Sequence, residues 1–333
     1  MFRDEMPLRN IDHMHFILNH AALGDTISSL PAVKWARENH TQDIGMTVWL
    51  PDFYLPLMEV IMPYEGLSFQ PLHEFNDKTN DKKVAGPGAM NAIPSNVVTR
   101  NKMDMVRFAY MAMLDREPEE SEMNYPTGPV GPSPIEIEGR YVAISSGATS
   151  KNKVFHADVL GPVIKAMLVK GYKVVILGKS TTIVRAVNEE KPLEMIHEFD
   201  NLPQEIKEQC IDLRDKTSLV DARNIIAHAE CFFGVDGGLL HLAGTTDVPI
   251  VYGITSVDPV HRPIRRWGIK NWRLKHITPR GLDCAGCQSH WTLMFKHDFR
   301  FCAYKDYKCV TALNPDDFID AFDDLYFERR EYP

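Results

Sequence analysis

Apolar positions along the chain follow two different periods. HFILNH (15–20), GMTVWL (45–50), RYVAISSGA (140–148), KVVILGKS (173–180), CIDLR (210–214), CFFGV (231–235) and VPIVYGI (248–254) are short apolar runs. Runs of this kind form strands, and the most apolar of them strands buried on both faces. Between them apolar residues recur every three or four positions. This predicts helices in AALGDTISSLPAVKWAREN, with Leu30, Val33 and Ala36 on its buried face, in YLPLMEVIM (54–62) and in DMVRFAYMAMLD (104–115). The same period predicts helices over VLGPVIKAMLVKGY (159–172), IVRAVNEEKPLEMIHEF (183–199) and TSLVDARNIIAHAE (217–230), the last opened by Thr217 or Ser218 as N-cap. A final helix, NPDDFIDAFDDLYFERR (314–330), has Asn314 as N-cap, Pro315 at its first position and Phe318, Ile319, Phe322, Leu325 and Tyr326 on one face. Strands alternating with helices twice over predict an α/β fold of two parallel-sheet domains facing a cleft.

The periodicity breaks in two places. YPTGPVGPSPIEIEG (125–139) carries four prolines and three glycines and reads as a linker. It divides an amino-terminal domain over 1–138 from a second over 139–310, with a terminal helix over 311–333 docking across both. The polar stretch 74–100 has no sustained period, and loops of that length are often lids or acceptor-binding segments.

One stretch carries anion-binding chemistry. After CFFGV come Asp236, Gly237 and Gly238, then a short helix with His241, then VPIVYGI. Paired glycines at a helix start expose backbone N–H groups where the peptide dipoles put partial positive charge, which favours phosphate. A structural turn with a histidine satisfied in the core is the competing reading. Gly24, Asp25 and Thr26 form a second strand, glycine turn and helix start.

Charge narrows the ligand. The net charge of −8 excludes a large nucleic-acid footprint. Residues 1–138 hold 11 Lys/Arg against 20 Asp/Glu, so the near-neutral second half suits an anionic ligand better. No apolar run is long enough to span a bilayer and the first residues lack a signal-peptide core, so a cytoplasmic location is expected.

Two familiar nucleotide motifs fail on spacing. LGKST (177–181) lacks the glycine five residues before Gly178 that a P-loop needs, because Lys173 stands there. No G-x-G-x-x-G follows a strand, and no Asp-x-Asp pair is present to hold a metal on a diphosphate. Charge on a leaving phosphate must then be met by helix N-termini and cations.

LGDTISSLPAVKWAR (23–37), SSGATSKNKVF (145–155), VVILG (174–178), TSLVDARNIIAHAECFFGVDGGLLHLAG (217–244) and TSVDPVHRP (255–263) occur in this order. Together they resemble the heptosyltransferases of lipopolysaccharide synthesis, glycosyltransferase family 9. The resemblance is weak between about 50 and 140 and strong over 141–263. It implies two Rossmann-like domains in the GT-B arrangement and a metal-independent, inverting transfer of a heptose or related sugar from a nucleotide-diphosphate sugar to an acceptor hydroxyl. Asp25 matches the aspartate assigned as general base, with Gly24 and Thr26 beside it on the acceptor side. Asp236, Gly237, Gly238 and His241 match the segment that holds the donor's diphosphate and ribose, with Gly237 in place of the usual small hydroxyl residue. Lys153, two residues before Phe155, matches a phosphate-binding lysine, with Lys151 as its competitor. Ser145, Ser146 and Gly147 would line the same phosphates, whereas Asp258 and Arg262 match a structural turn.

The resemblance favours an ADP-sugar as donor and a glycan or glycolipid as acceptor, with peripheral contact at the inner membrane face. No cofactor is required. Cys284, Cys287, Cys302 and Cys309 form C-x2-C-x14-C-x6-C, compatible with free thiols, with a structural zinc or, least of all, with a disulfide. His290 and His297 are substitute ligands, and WTLMFKHDFRF is either packing or an acceptor-facing run. Rival functions are a sugar-nucleotide epimerase, a non-catalytic nucleotide-sugar or glycan binding protein and, more distantly, transfer to modified DNA bases, which the acidic first half disfavours.

Overall fold

The computed structural model describes residues 13–18, 22–39, 45–75, 83–84, 105–114, 116–180, 194–259, 264, 273–287, 302 and 304–331. Two compact units meet in the sequence between Pro129 and Val130.

In the first unit β1 (His13–Ile17), β2 (Gly45–Leu50), β3 (Leu67–Pro71) and β4 (Lys83–Val84) form a parallel sheet in the order β3-β2-β1-β4. Helix α1 (Leu23–Asn39) follows β1, and Leu30, Val33 and Ala36 are buried as their spacing predicts. Helix α2 (Leu55–Ile61) leads into β3, while α3 (Met105–Leu114) packs on α1. The Tyr110 hydroxyl of α3 is buried between the Glu122 carbonyl at 2.7 Å and the Pro31 carbonyl at 3.0 Å.

In the second unit six parallel strands stand in the order β12-β11-β10-β5-β7-β9. They are β5 (Tyr141–Ser145), β7 (Lys173–Leu177), β9 (Cys210–Asp212), β10 (Phe232–Val235), β11 (Ile250–Gly253) and β12 (Leu274–Ile277). The four central strands are wholly buried but for Lys173 and the half-buried Ser145, as their unbroken apolar runs require. A short antiparallel pair, β6 (Gly147–Ala148) with β8 (Ile196–His197), extends the loop after β5.

The helices of this unit are α4 (Ala157–Val169), α5 (Leu219–Ala227), α6 (Gly238–Gly244) and α7 (Pro315–Glu331). Ser218 rather than Thr217 caps α5: its Oγ accepts from the Asp221 amide at 3.1 Å, and the Asp221 carboxylate accepts from the Ser218 amide at 3.1 Å. Asn314 caps α7 by accepting from the Asp316 amide at 3.3 Å. Phe318, Phe322 and Leu325 of α7 join the core of this unit, with Phe318 stacked on Phe155 at 5.0 Å. Each such phenyl ring contributes about 3 kcal/mol by burial. A Cβ at Gly253 would come within 2.7 Å of Leu313 Cδ1, so the approach to α7 requires glycine there. The described docking of α7 is onto α4, β11 and β12 of this unit.

The expected helix over 183–199 is corrected at its end. Ile196–His197 is strand β8 and Glu198–Asn201 a 3-10 turn, because Ile196 and His197 pair with the β6 loop while Phe199 enters the core under α4. Residues 181–193 lie outside the described residues, as do 76–82 and 85–100 of the expected long loop.

Candidate donor site

The carboxyl ends of β5 and β10 are neighbours, since Phe232 and Phe233 pair with Ala143 and Ile144. Chain continuing from these ends brings Ser145, Ser146, Gly147 and Lys153 together with Asp236, Gly237, Gly238 and His241. Open parallel sheets bind their ligands at this edge.

Asp236 sits at the centre of the site. It is 8% exposed; its Oδ2 accepts from Lys153 Nζ at 2.6 Å and its Oδ1 lies 3.8 Å from Nε2 of His241, which is 1% exposed. A buried carboxylate is costly without such partners, and one cation plus one imidazole supply them. Lys153 ends a 3-10 turn, Lys151–Lys153, and is half-buried, whereas Lys151 is exposed. Of the two lysines, Lys153 is the one seen to pair with Asp236. A carboxylate repels phosphate, so what an anion can meet here is the Lys153 cation, held by Asp236, and the backbone N–H groups at the start of α6.

Gly237 is extended, with φ −178° and ψ 171°, at the N-cap of α6. A Cβ there would find its nearest neighbour, the Val235 carbonyl oxygen, at 3.8 Å, so space for a side chain exists. Gly147 differs: a Cβ would lie 2.2 Å from Cε1 of His197, which lies against this loop. Nε2 of His197 bonds the Lys179 carbonyl. Burial, with Arg214 adding to it, lowers the His197 pKa, offset in part by that hydrogen bond. Burial, helped by the carboxylates of Asp236 and Asp258, pushes the Tyr252 phenol above its ordinary range.

Four polar groups here were not legible in the sequence. The hydroxyls of Thr255 and Ser256, just past β11, are buried without a hydrogen-bond partner among the described residues, as is Ser146 Oγ. His197 and Arg223 are the others. Arg223 is 0% exposed; its Nε donates to Thr245 Oγ1 and an Nη to the Thr245 carbonyl, each at 3.0 Å. Burial lowers its pKa to about 10. Thr245 ends α6, so this cation anchors the helix that carries His241. Thr255, Ser256 and Arg223 lie within the quoted segments 255–263 and 217–244, but nothing in those letters marks them as buried, because a buried polar side chain has the same letter as an exposed one.

In the first unit α1 begins where β1 ends. Gly24 and Thr26 are buried and Asp25 is half-buried in the first helical turn. The Ser29 hydroxyl donates to the Asp25 carbonyl at 2.9 Å and Thr26 Oγ1 to the Ala22 carbonyl at 3.3 Å.

Among the described residues no disulfide joins any of the six cysteines. Burial pushes the Cys309 thiol up to about 12, and Cys287, Cys302 and Cys284 contribute, which gathers all four late cysteines into one neighbourhood. Among the described residues no three His, Cys, Asp or Glu side chains stand in a metal-holding arrangement. Arg262, His290, His297 and the run WTLMFKHDFRF lie outside the described residues.

The second unit is an α/β domain built on a parallel sheet, and its strand ends carry neither a P-loop nor a dinucleotide fingerprint. Residues 112–272 match the sequence profile of glycosyltransferase family 9 (heptosyltransferase). Over 57 residues the chain is 39% identical to lipooligosaccharide heptosyltransferase 2 of Haemophilus influenzae, an alignment spanning 16% of each protein. Among solved structures it is similar to the iron-containing dodecameric glycosyltransferase TibC of enterotoxigenic E. coli, with a TM-score of 0.70 at 17% identity over 97% of this chain and 78% of that one. ADP-heptose lps heptosyltransferase II of E. coli gives a TM-score of 0.57 at 16% identity over 91% and 98%. A family 9 glycosyl transferase from Veillonella parvula gives 0.59 at 12% over 95% and 98%. These likenesses show the fold. Over residues 112–272 the chain is similar to glycosyltransferase family 9.

Proposed function

We propose that the protein transfers a sugar, a heptose or a relative of it, from a nucleotide-diphosphate sugar to an acceptor hydroxyl, with inversion and without a metal at the reacting carbon. The observation that carries this reading is the Lys153–Asp236–His241 constellation at the ends of β5 and β10, within the family 9 segment. Lys153 and the backbone N–H groups at the start of α6 would hold the diphosphate. The acceptor oxygen attacks the anomeric carbon, the bond from that carbon to the phosphate oxygen breaks, and the nucleoside diphosphate leaves with the electron pair. Asp25 takes the acceptor's proton, help worth roughly 10²–10⁴ in rate.

An ADP-sugar is the favoured donor, since similar structures were solved with ADP-D-β-D-heptose and with ADP. A glycan or glycolipid is the acceptor class, and action in the cytoplasm at the inner membrane face would suit it. Among the described residues no helix is long and apolar enough to cross a membrane.

A thermal-shift panel of ADP, UDP, GDP and CDP tests the donor site. A ligand at 100 times its Kd stabilises the folded state by about 2.7 kcal/mol. ADP is expected to raise the melting temperature and Lys153→Met to lower ADP affinity; no shift with any nucleotide refutes the site. Asp25→Ala should bind ADP as before and lose transfer, and undiminished transfer removes Asp25 from the mechanism.

A second element we propose is a structural metal taken up by Cys284, Cys287, Cys302 and Cys309, which share a neighbourhood but as described do not stand in a metal-holding arrangement. Four thiolates suit zinc or iron, and the similar TibC structures are described as iron-containing. Elemental analysis of the purified protein should find about one metal per chain, as one four-thiolate site requires. Metal-free protein of full stability would exclude it.

A further inference from the structure

The described parts of the cysteine segment touch both loops that flank Asp236. On one side Cys309 and Val310, 5% and 3% exposed, pack on Val154, the residue after Lys153, in a small apolar cluster with Ala148, Ile196, Leu282 and Tyr307. Ala148 continues the Ser145–Gly147 loop and Ile196 pairs with it through β6 and β8. The one-turn helix Lys308–Thr311 is aimed at the Lys151–Lys153 turn by Tyr307, which takes the left-handed conformation at φ 51°. On the other side the Gly286 amide donates to the Thr255 carbonyl at 2.8 Å and Cys287 bridges to Val257. Gly286 takes the left-handed conformation at φ +72°, and a Cβ there would press on Asp258 Cβ at 3.0 Å.

Lys153 therefore projects from a single 3-10 turn, in which the Ser150 hydroxyl bonds the Asn152 side chain, and whose described apolar support includes this cluster. A lysine has a flexible stem and presents its charge well only when its backbone is held. We propose that the cysteine segment is a clamp on the donor site: Cys309 and Val310 are positioning residues that fix the turn bearing Lys153, while Gly286 and Cys287 fix the loop after β11. The consequence is that a change at the thiols is read out as a change in grip on the donor's phosphates. This deepens the donor-site reading and rests on it.

The test is a double-mutant cycle on the full-length protein, with ADP and adenosine binding measured by calorimetry. Val310→Ala should fold and weaken ADP binding about fivefold, a coupling of the size seen between residues in contact. Adenosine, which has no phosphate, should bind unchanged. In a Lys153→Met background the Val310→Ala effect on ADP should vanish. Should Val310→Ala fail to fold, Leu282→Ala trims the same cluster from its other side and enters the same cycle. Unchanged ADP affinity in the cluster variant, or an equal loss with and without Lys153, overturns the clamp while leaving the donor site standing. If Lys153→Met alone binds ADP like the parent, the donor-site reading fails and the clamp falls with it.

Discussion

Replacing Arg223 by methionine tests how the helix bearing His241 is held. The parent side chain buries a full charge: the fall of its pKa from 12.5 to about 10 corresponds to about 3 kcal/mol of unfavourable burial at neutral pH. Methionine removes that cost and keeps most of the volume. It also removes both bonds to Thr245, at roughly 1.5–3 kcal/mol each for a charged donor, and leaves the Thr245 carbonyl unsatisfied at about 1–3 kcal/mol. The balance is a net loss of roughly 1–6 kcal/mol. For a unit of this size each kcal/mol lowers Tm by about 2–4 °C. Urea and thermal melts followed by circular dichroism would measure it. The pH dependence has a defined sign. The folded state releases the Arg223 proton more readily than the unfolded state, so the parent gains on the variant as pH rises through about 10. A variant as stable as the parent at neutral pH would show that Thr245 needs no cation and refute the anchor.

Three further outcomes are expected. Because burial depresses the His197 pKa below 6.5, the parent should lose stability relative to His197→Gln as pH falls below 6.5, and parallel pH profiles would count against a buried neutral ring. Gly147→Ala should cost about 1–3 kcal/mol by overpacking against that ring, and the cost should disappear in His197→Ala, which equilibrium unfolding can check; an undiminished cost would place the clash elsewhere. Gly237→Ser should fold normally, since its extended backbone and open surroundings accept a side chain. By regaining one hydrogen bond to phosphate it should bind ADP about 2–10-fold tighter, and weaker binding would show that the glycine is needed for close approach.

How far the sequence could be read depends on which faces a residue shows to solvent. The inner strands β5, β7, β10 and β11 were legible because burial on both faces leaves unbroken apolar runs. Edge strands β3 and β12 were not, since LSFQP and LKHI carry polar residues on a half-exposed edge. The end of the expected helix over 183–199 failed for another reason: pairing of Ile196 and His197 with a loop some fifty residues earlier overrode the local helical period. In the site, Asp236, the two glycines and His241 form one continuous segment and could be found by spacing. Lys153 and Lys151 are chemically alike and two residues apart, and only the ion pair with Asp236 tells them apart. His197 and Arg223 escaped because their partners, a carbonyl at Lys179 and a threonine at the end of α6, are set by the tertiary fold.

The placement of α7 has a consequence for how the protein is made. Phe318 and Phe322 fill a core whose other walls come from Val142, Phe155, Val174 and Phe233, synthesised well over eighty residues earlier. During translation the first unit has all of its described strands and helices available early and can consolidate. The sheet of the second unit must wait, one face uncovered, until Leu325 emerges, and in that interval its apolar surface is exposed to self-association and to chaperones.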